Sequence, residues 1–276
     1  MAQRPFRCTV HGPVVTLIFG SATAQHAALS RLECFYESEK FANTYLTLEE
    51  AARERICKGY EAFNLPTATV PRWLEAMHES EKPEPSEELP WWHKFCTVEE
   101  RAVLEALEEL DTQPSYVVSA LAQHADVALA HERLHALYHL SEPYRTLLTS
   151  LWNDMPRSVQ SAVQYDLKMR GYREAVWEDE LGAYLGVRIK PNTRRADPSL
   201  EFGNKCADVC REIRRVLLQQ IPTFWRADAG VDEAAMELDP SFLEEARAAL
   251  APPKRPTQAP GLPKKPVKGA PKKSRR

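Results

Sequence analysis

Long apolar runs are missing from this chain. No stretch of its 276 residues approaches the roughly 18 apolar residues of a membrane-crossing helix. The apolar segment Val14–Phe19 is too short, and too closely flanked by glycine and proline, to read as a secretion signal. An intracellular location, nuclear or cytoplasmic, is therefore expected. Cysteine motifs are missing too. The six cysteines never form CxxC, and the only close pair, Cys206 and Cys210, lacks a second half for a metal site nearby. Buried, reduced, structural thiols are the better reading. There is no internal repeat. Positive charge is outnumbered by acid until the very end. Residues 252–276 carry nine Lys or Arg and no acid, so the preceding 251 residues hold a net charge of −12 beneath an overall −3.

What is present is mostly helical periodicity. Apolar residues Ala28, Leu29, Leu32, Phe35 and Tyr36 recur at three- and four-residue spacing. Thr47 with Glu50, and Thr97 with Glu100, are capping-box signatures. The first predicts a helix over residues 51–63, the second a helix to about Leu110. Further helices are expected over residues 125–140, 142–152, 158–170, 173–185 and 201–220, with Gly171 as a stop signal. Strand character is confined to a hairpin, residues 6–10 and 14–19 about His11-Gly12-Pro13, and to residues 116–121, which fit a strand or the first turns of a helix. Residues 79–90, acidic and proline-rich, read as an exposed loop, and the Trp91-Trp92 pair after them as an anchor in the core. The expected fold is mainly α (α+β). An N-terminal region over 1–112 precedes a helical metal-binding region over 113–225, an acidic linker or short helix over 226–251, and a disordered basic tail over 252–276.

The chemistry concentrates in residues 127–140, VALAHERLHALYHL. His131, His135 and His139 recur every four residues. On a helix this spacing stacks side chains on one face, so His131 and His135 can share one metal ion. Glu132 is turned by about 100° and reaches an open coordination position. The HExxH arrangement thus encodes two ligands and a general base for zinc. A third ligand is required. In residues 174–185, EAVWEDELGAYL, Glu180 is flanked one turn away by Val176, Trp177, Ala183 and Tyr184, which places a carboxylate in the core-facing stripe. A buried acid needs a cation to meet. Glu178 is less well placed, and His139, a turn of about 5–6 Å further along the axis, is expected to form a cleft wall rather than a ligand. The same residues also fit an ordinary amphipathic helix with solvated Glu132 and Arg133, and Glu180 paired with an arginine such as Arg145.

HERLH followed by DELGAY resembles the HExxH…ExxA pattern of gluzincin-type zinc metallopeptidases. The resemblance covers residues 116–187, about a quarter of the chain. It implies a zincin-like domain binding one Zn2+ through His131, His135 and Glu180, with Glu132 as catalytic base and Asp179 orienting an imidazole. It also implies a protein or peptide substrate, and the lack of a long apolar run leads us to expect no membrane partner. Arg133, where such peptidases usually carry an uncharged residue, is expected to face solvent. Tyr184 and Tyr138 are candidate oxyanion donors, with Tyr144 and Tyr172 behind them. Lys264, Lys265, Lys272, Lys273, Arg275 and Arg276 form a pattern suited to nuclear import or phosphate contact. The competing expectation is a non-enzymatic helical interaction protein that uses this tail for nuclear or nucleic-acid partners, its HExxH structural or degenerate.

Overall fold

Side chains alternate along a strand, and in Val14–Phe19 both faces are apolar. Val14 and Ile18 join one core, whereas Val15, Leu17 and Phe19 join another. This strand is therefore sandwiched, and all six of its residues are buried. The computed structural model describes residues 4–84, 89–189 and 197–249. Four strands form one sheet: β1 (Phe6–His11), β2 (Val14–Phe19), β3 (Ala62–Pro66) and β4 (Tyr116–Leu121), in the order β1-β2-β4-β3. The expected hairpin is β1 and β2, antiparallel with Phe6 opposite Phe19. β4 runs parallel to β2 with Val14 opposite Tyr116, and β3 runs antiparallel to β4 with Asn64 opposite Val118.

Helices cover both faces, so the architecture is mainly α with a small mixed sheet. On one face lie α1 (Ala22–Glu37), α3 (Thr69–Glu81) and α4 (Val98–Glu108), around Leu29, Leu32, Trp73 and Leu104. On the other lie α5 (Ala125–Leu140), α6 (Glu142–Asn153), α7 (Arg157–Met169), α8 (Trp177–Gly186), α9 (Ala207–Asp228) and α10 (Pro240–Ala249). Both capping boxes form, at Thr47 for the short helix α2 (Leu48–Glu54) and at Thr97 for α4. Because β4 pairs between β2 and β3, the regions on either side of residue 112 share one sheet. The first region also holds a buried ion pair. Arg31 donates from Nε and Nη2 to the two oxygens of Glu100, at 2.7 and 2.6 Å, and its remaining donors reach the carbonyls of Leu46 and Phe95.

Several expectations change. The helix begun at Thr47 stops at Glu54 rather than Phe63, because Arg55, Cys57 and Gly59 all take positive φ, and the chain then extends into β3. Residues 79–81 belong to α3 rather than to a loop; of the acidic stretch that follows, residues 85–88 lie outside the described residues. The last core helix begins at Ala207 and runs on to Asp228. Residues 116–121 are a strand, not a helical turn. Trp92 is buried and Trp91 half-buried, and the cysteines are free, with Cys34, Cys96, Cys206 and Cys210 buried. Among the described residues no helix is long and apolar enough to cross a membrane. The basic tail lies outside the described residues.

Candidate metal centre

Helix α5 buries Leu129, Leu134, Ala136 and Leu137 in the core and turns His131, Glu132 and His135 toward a cleft of ≈ 370 Å³. Helix α8 faces it with Glu180 and Tyr184. Close approach of α8 to α6 depends on Gly182, where an added Cβ would stand 2.6 Å from Leu148 Cδ1 and 2.9 Å from the Tyr144 hydroxyl.

The Nε2 atoms of His131 and His135 lie 3.1 Å apart. The Glu180 oxygens stand 3.7 Å from the first and 3.8 Å from the second. All three ligand atoms fall within 4.8 Å of one another. Two nitrogens bound tetrahedrally to zinc at about 2.05 Å are separated by about 3.3 Å, so the histidine pair already has the required spacing. The chemistry of the set agrees. Glu180 is 5 % exposed, yet among the described residues its Oε2 accepts no hydrogen bond, a buried oxygen that a cation would satisfy. Asp179 Oδ2 lies 3.0 Å from Nδ1 of His135, a contact that would direct Nε2 at a bound ion. These residues therefore fit a divalent metal with a preference for nitrogen and oxygen donors.

Charge is poorly balanced among these side chains. Burial pushes the Glu180 carboxyl up to about 8 and that of Glu132 to about 7, although the nearby His135 partly opposes both shifts. Burial works against a charged His135, but Asp179 and Glu180 outweigh it and hold the imidazole well above its ordinary range. Two further acids come from α1. Glu33 is raised well above the carboxylate range, first by burial and then by the charges of Glu37 and Glu132. It accepts from the backbone N–H of Asn64 at 3.2 Å and shares a side-chain hydrogen bond with Glu37. Asn64 Nδ2 donates to Glu132 Oε2 at 2.8 Å, and the Tyr116 hydroxyl donates to Asn64 Oδ1 at 2.5 Å.

This arrangement divides the residues that the sequence singles out. His131, Glu132, His135 and Glu180 line one cleft, and Asp179 stands behind His135. Glu178 instead accepts from the Thr149 hydroxyl. Tyr184 packs edge-on against His131 with centroids 4.7 Å apart, and its hydroxyl lies 3.1 Å from that of Tyr172, which also lines the cleft. Tyr138 does not line the cleft, and Tyr144 is fully buried in the core. His139 is not a cleft wall: the extra turn carries it away, and its ring lies against Tyr116 at 5.2 Å. Arg145 does not pair with Glu180 but donates to the carbonyls of Tyr138 and His139. Arg133 does not simply face solvent. It lies at a smaller pocket beside Trp225 and Met236, where burial lowers its guanidinium to about 10. Asn64, Glu33, Glu37 and Arg170 also line the cleft and are invisible to the motif. Asn64 is found only by reading residues 62–66 as a strand beside the HExxH helix. Comparison of the chain with protein-family models, curated proteins and solved structures gives no match to any of them.

Proposed function

We propose that this chain is a zinc-dependent metallopeptidase. The observation that carries the reading is the convergence of His131, His135 and Glu180 on one point, with Glu132 beside them in an open cleft. Zinc held there would supply a Lewis acid that polarises a peptide carbonyl and lowers the pKa of water. The other parts belong to the chain itself. Glu132 accepts the proton of the attacking water and hands it to the departing amine. The hydroxyls of Tyr172 and Tyr184 are hydrogen-bonded to each other, which leaves one proton of the pair to donate where negative charge develops on the carbonyl oxygen. β3 lies at the sheet edge, and Tyr60, Glu61 and Ala62 line the cleft, so an extended protein or peptide segment fits along it. The nine positive charges of residues 252–276 suit a nuclear address for this activity.

Metal analysis tests the proposal. The purified chain should carry about one zinc, and both His135→Ala and Glu180→Ala should lose it. Glu132→Gln should keep the metal and lose cleavage of an unfolded protein such as casein. A wild-type chain that takes up no metal ends this reading.

A further inference from the structure

We propose that Asn64 is a positioning residue for Glu132: its side-chain amide holds one carboxylate oxygen and leaves the other as the proton acceptor. The inference rests on the peptidase reading and adds a residue from a different part of the chain. Asn64 sits in the edge strand β3, 68 residues from Glu132, and is only 8 % exposed. Its Nδ2 donates to Glu132 Oε2 at 2.8 Å.

Two contacts fix that donor. The Tyr116 hydroxyl, itself hydrogen-bonded to Tyr36, donates to Asn64 Oδ1. A flipped amide would set its oxygen against the Glu132 carboxylate, acceptor facing acceptor, so the network selects the observed orientation. The backbone N–H of Asn64 is held by Glu33. Tyr116, on the central strand, is 1 % exposed and cannot yield.

The residue type also matters. Glu132 is surrounded by the acids Glu33, Glu37, Asp179 and Glu180, which together oppose a localised negative charge. A lysine or arginine at position 64 would relieve that repulsion but would clamp the carboxylate in a fixed ion pair and weaken it as a base. A neutral amide supplies one directed hydrogen bond without cancelling the charge. With Oε2 engaged, Oε1 is left as the proton acceptor.

Cobalt-loaded full-length protein provides a test that does not depend on substrate. The visible spectrum of the bound cobalt should change in Asn64→Leu at unchanged metal occupancy. In a Glu132→Ala background, Asn64→Leu should add no further change, because there is nothing left to position. Tyr116→Phe, which removes the orienting hydroxyl, should shift the spectrum in the same direction to a smaller extent, and it carries the test if Asn64→Leu does not fold. With casein as substrate, Asn64→Leu should lower kcat about 10-fold with KM little altered. Cobalt spectra of both variants that coincide with wild type, or an equal change in the Glu132→Ala background, would overturn the role of Asn64 alone. A wild-type chain that binds no cobalt would overturn the metal site and this role together.

Discussion

Asp179 presents its Oδ2 to Nδ1 of His135 at 3.0 Å, while the other ring nitrogen of the same histidine faces His131 and Glu180. One imidazole is thus gripped from both sides, and the grip comes from two consecutive residues of α8. On the proposed reading, metal affinity depends on a residue that would not itself touch the ion. Asp179→Asn should keep the fold and the three ligands, yet weaken zinc binding by about 10- to 100-fold. Competition with a chromophoric chelator measures this. Affinity equal to that of the wild type would mean that the carboxylate does not tune the site.

Metal uptake should release protons. In the metal-free cluster His135 is held protonated above its ordinary range, and the Glu180 carboxyl is pushed up to about 8. Zinc requires a neutral imidazole and an ionised carboxylate, so binding expels the protons and tightens as pH rises through neutrality towards 8. The sign for stability is the opposite. Groups with raised folded-state pKa values stabilise the metal-free fold at low pH and lose that contribution as pH rises through those values. The cluster should therefore make metal-free protein less stable at pH 8 than at pH 6, and zinc should remove the difference. An indicator dye in weak buffer and thermal melts at the two pH values check both statements. Zinc binding without proton release between pH 6 and 8 would contradict them.

The Arg31–Glu100 pair ties α1 to α4, with side chains 4 % and 1 % exposed. Removing one partner strands a buried charge. Arg31→Met should destabilise the fold by about 3–5 kcal/mol in urea unfolding, because Glu100 then has no counter-ion. A loss below about 1 kcal/mol would show that the pair is replaceable.

Gly182 sits two residues after Glu180, on the face of α8 that meets α6. Gly182→Ala would bring a methyl group against Leu148 and the Tyr144 hydroxyl, both fully buried. Overpacking of this kind should cost about 1–3 kcal/mol and displace α8 enough to weaken zinc binding. Unchanged stability together with unchanged zinc affinity would show that the helices have slack.

Much of this is legible in the sequence because local patterns encode it. Helical spacing places His131 and His135 on one face, and apolar neighbours one turn away on either side place Glu180 inward. Capping boxes mark Thr47 and Thr97 with no tertiary information. The strand β3 is not legible. Ala62–Pro66 is only five residues long, and it follows a true helix start whose early end depends on left-handed backbone at Arg55 and Cys57. Neither residue type announces that conformation. Asn64 is hidden with the strand, because its partners Glu132 and Tyr116 are remote in sequence. Periodicity carries His139 onto the same face as His131 and His135, but one further helical turn is enough to put it against Tyr116 instead.

The order β1-β2-β4-β3 has a consequence for synthesis. β4, which ends at Leu121, is the strand that joins β2 to β3, and it is made last of the four. Until it emerges from the ribosome, β2 and β3 each present an open edge, and the apolar faces of the hairpin lack their central neighbour. The nascent chain is then most exposed to mispairing. The same event that ends this interval brings Tyr116 between the two halves and sets the stage for Asn64 to meet Glu132.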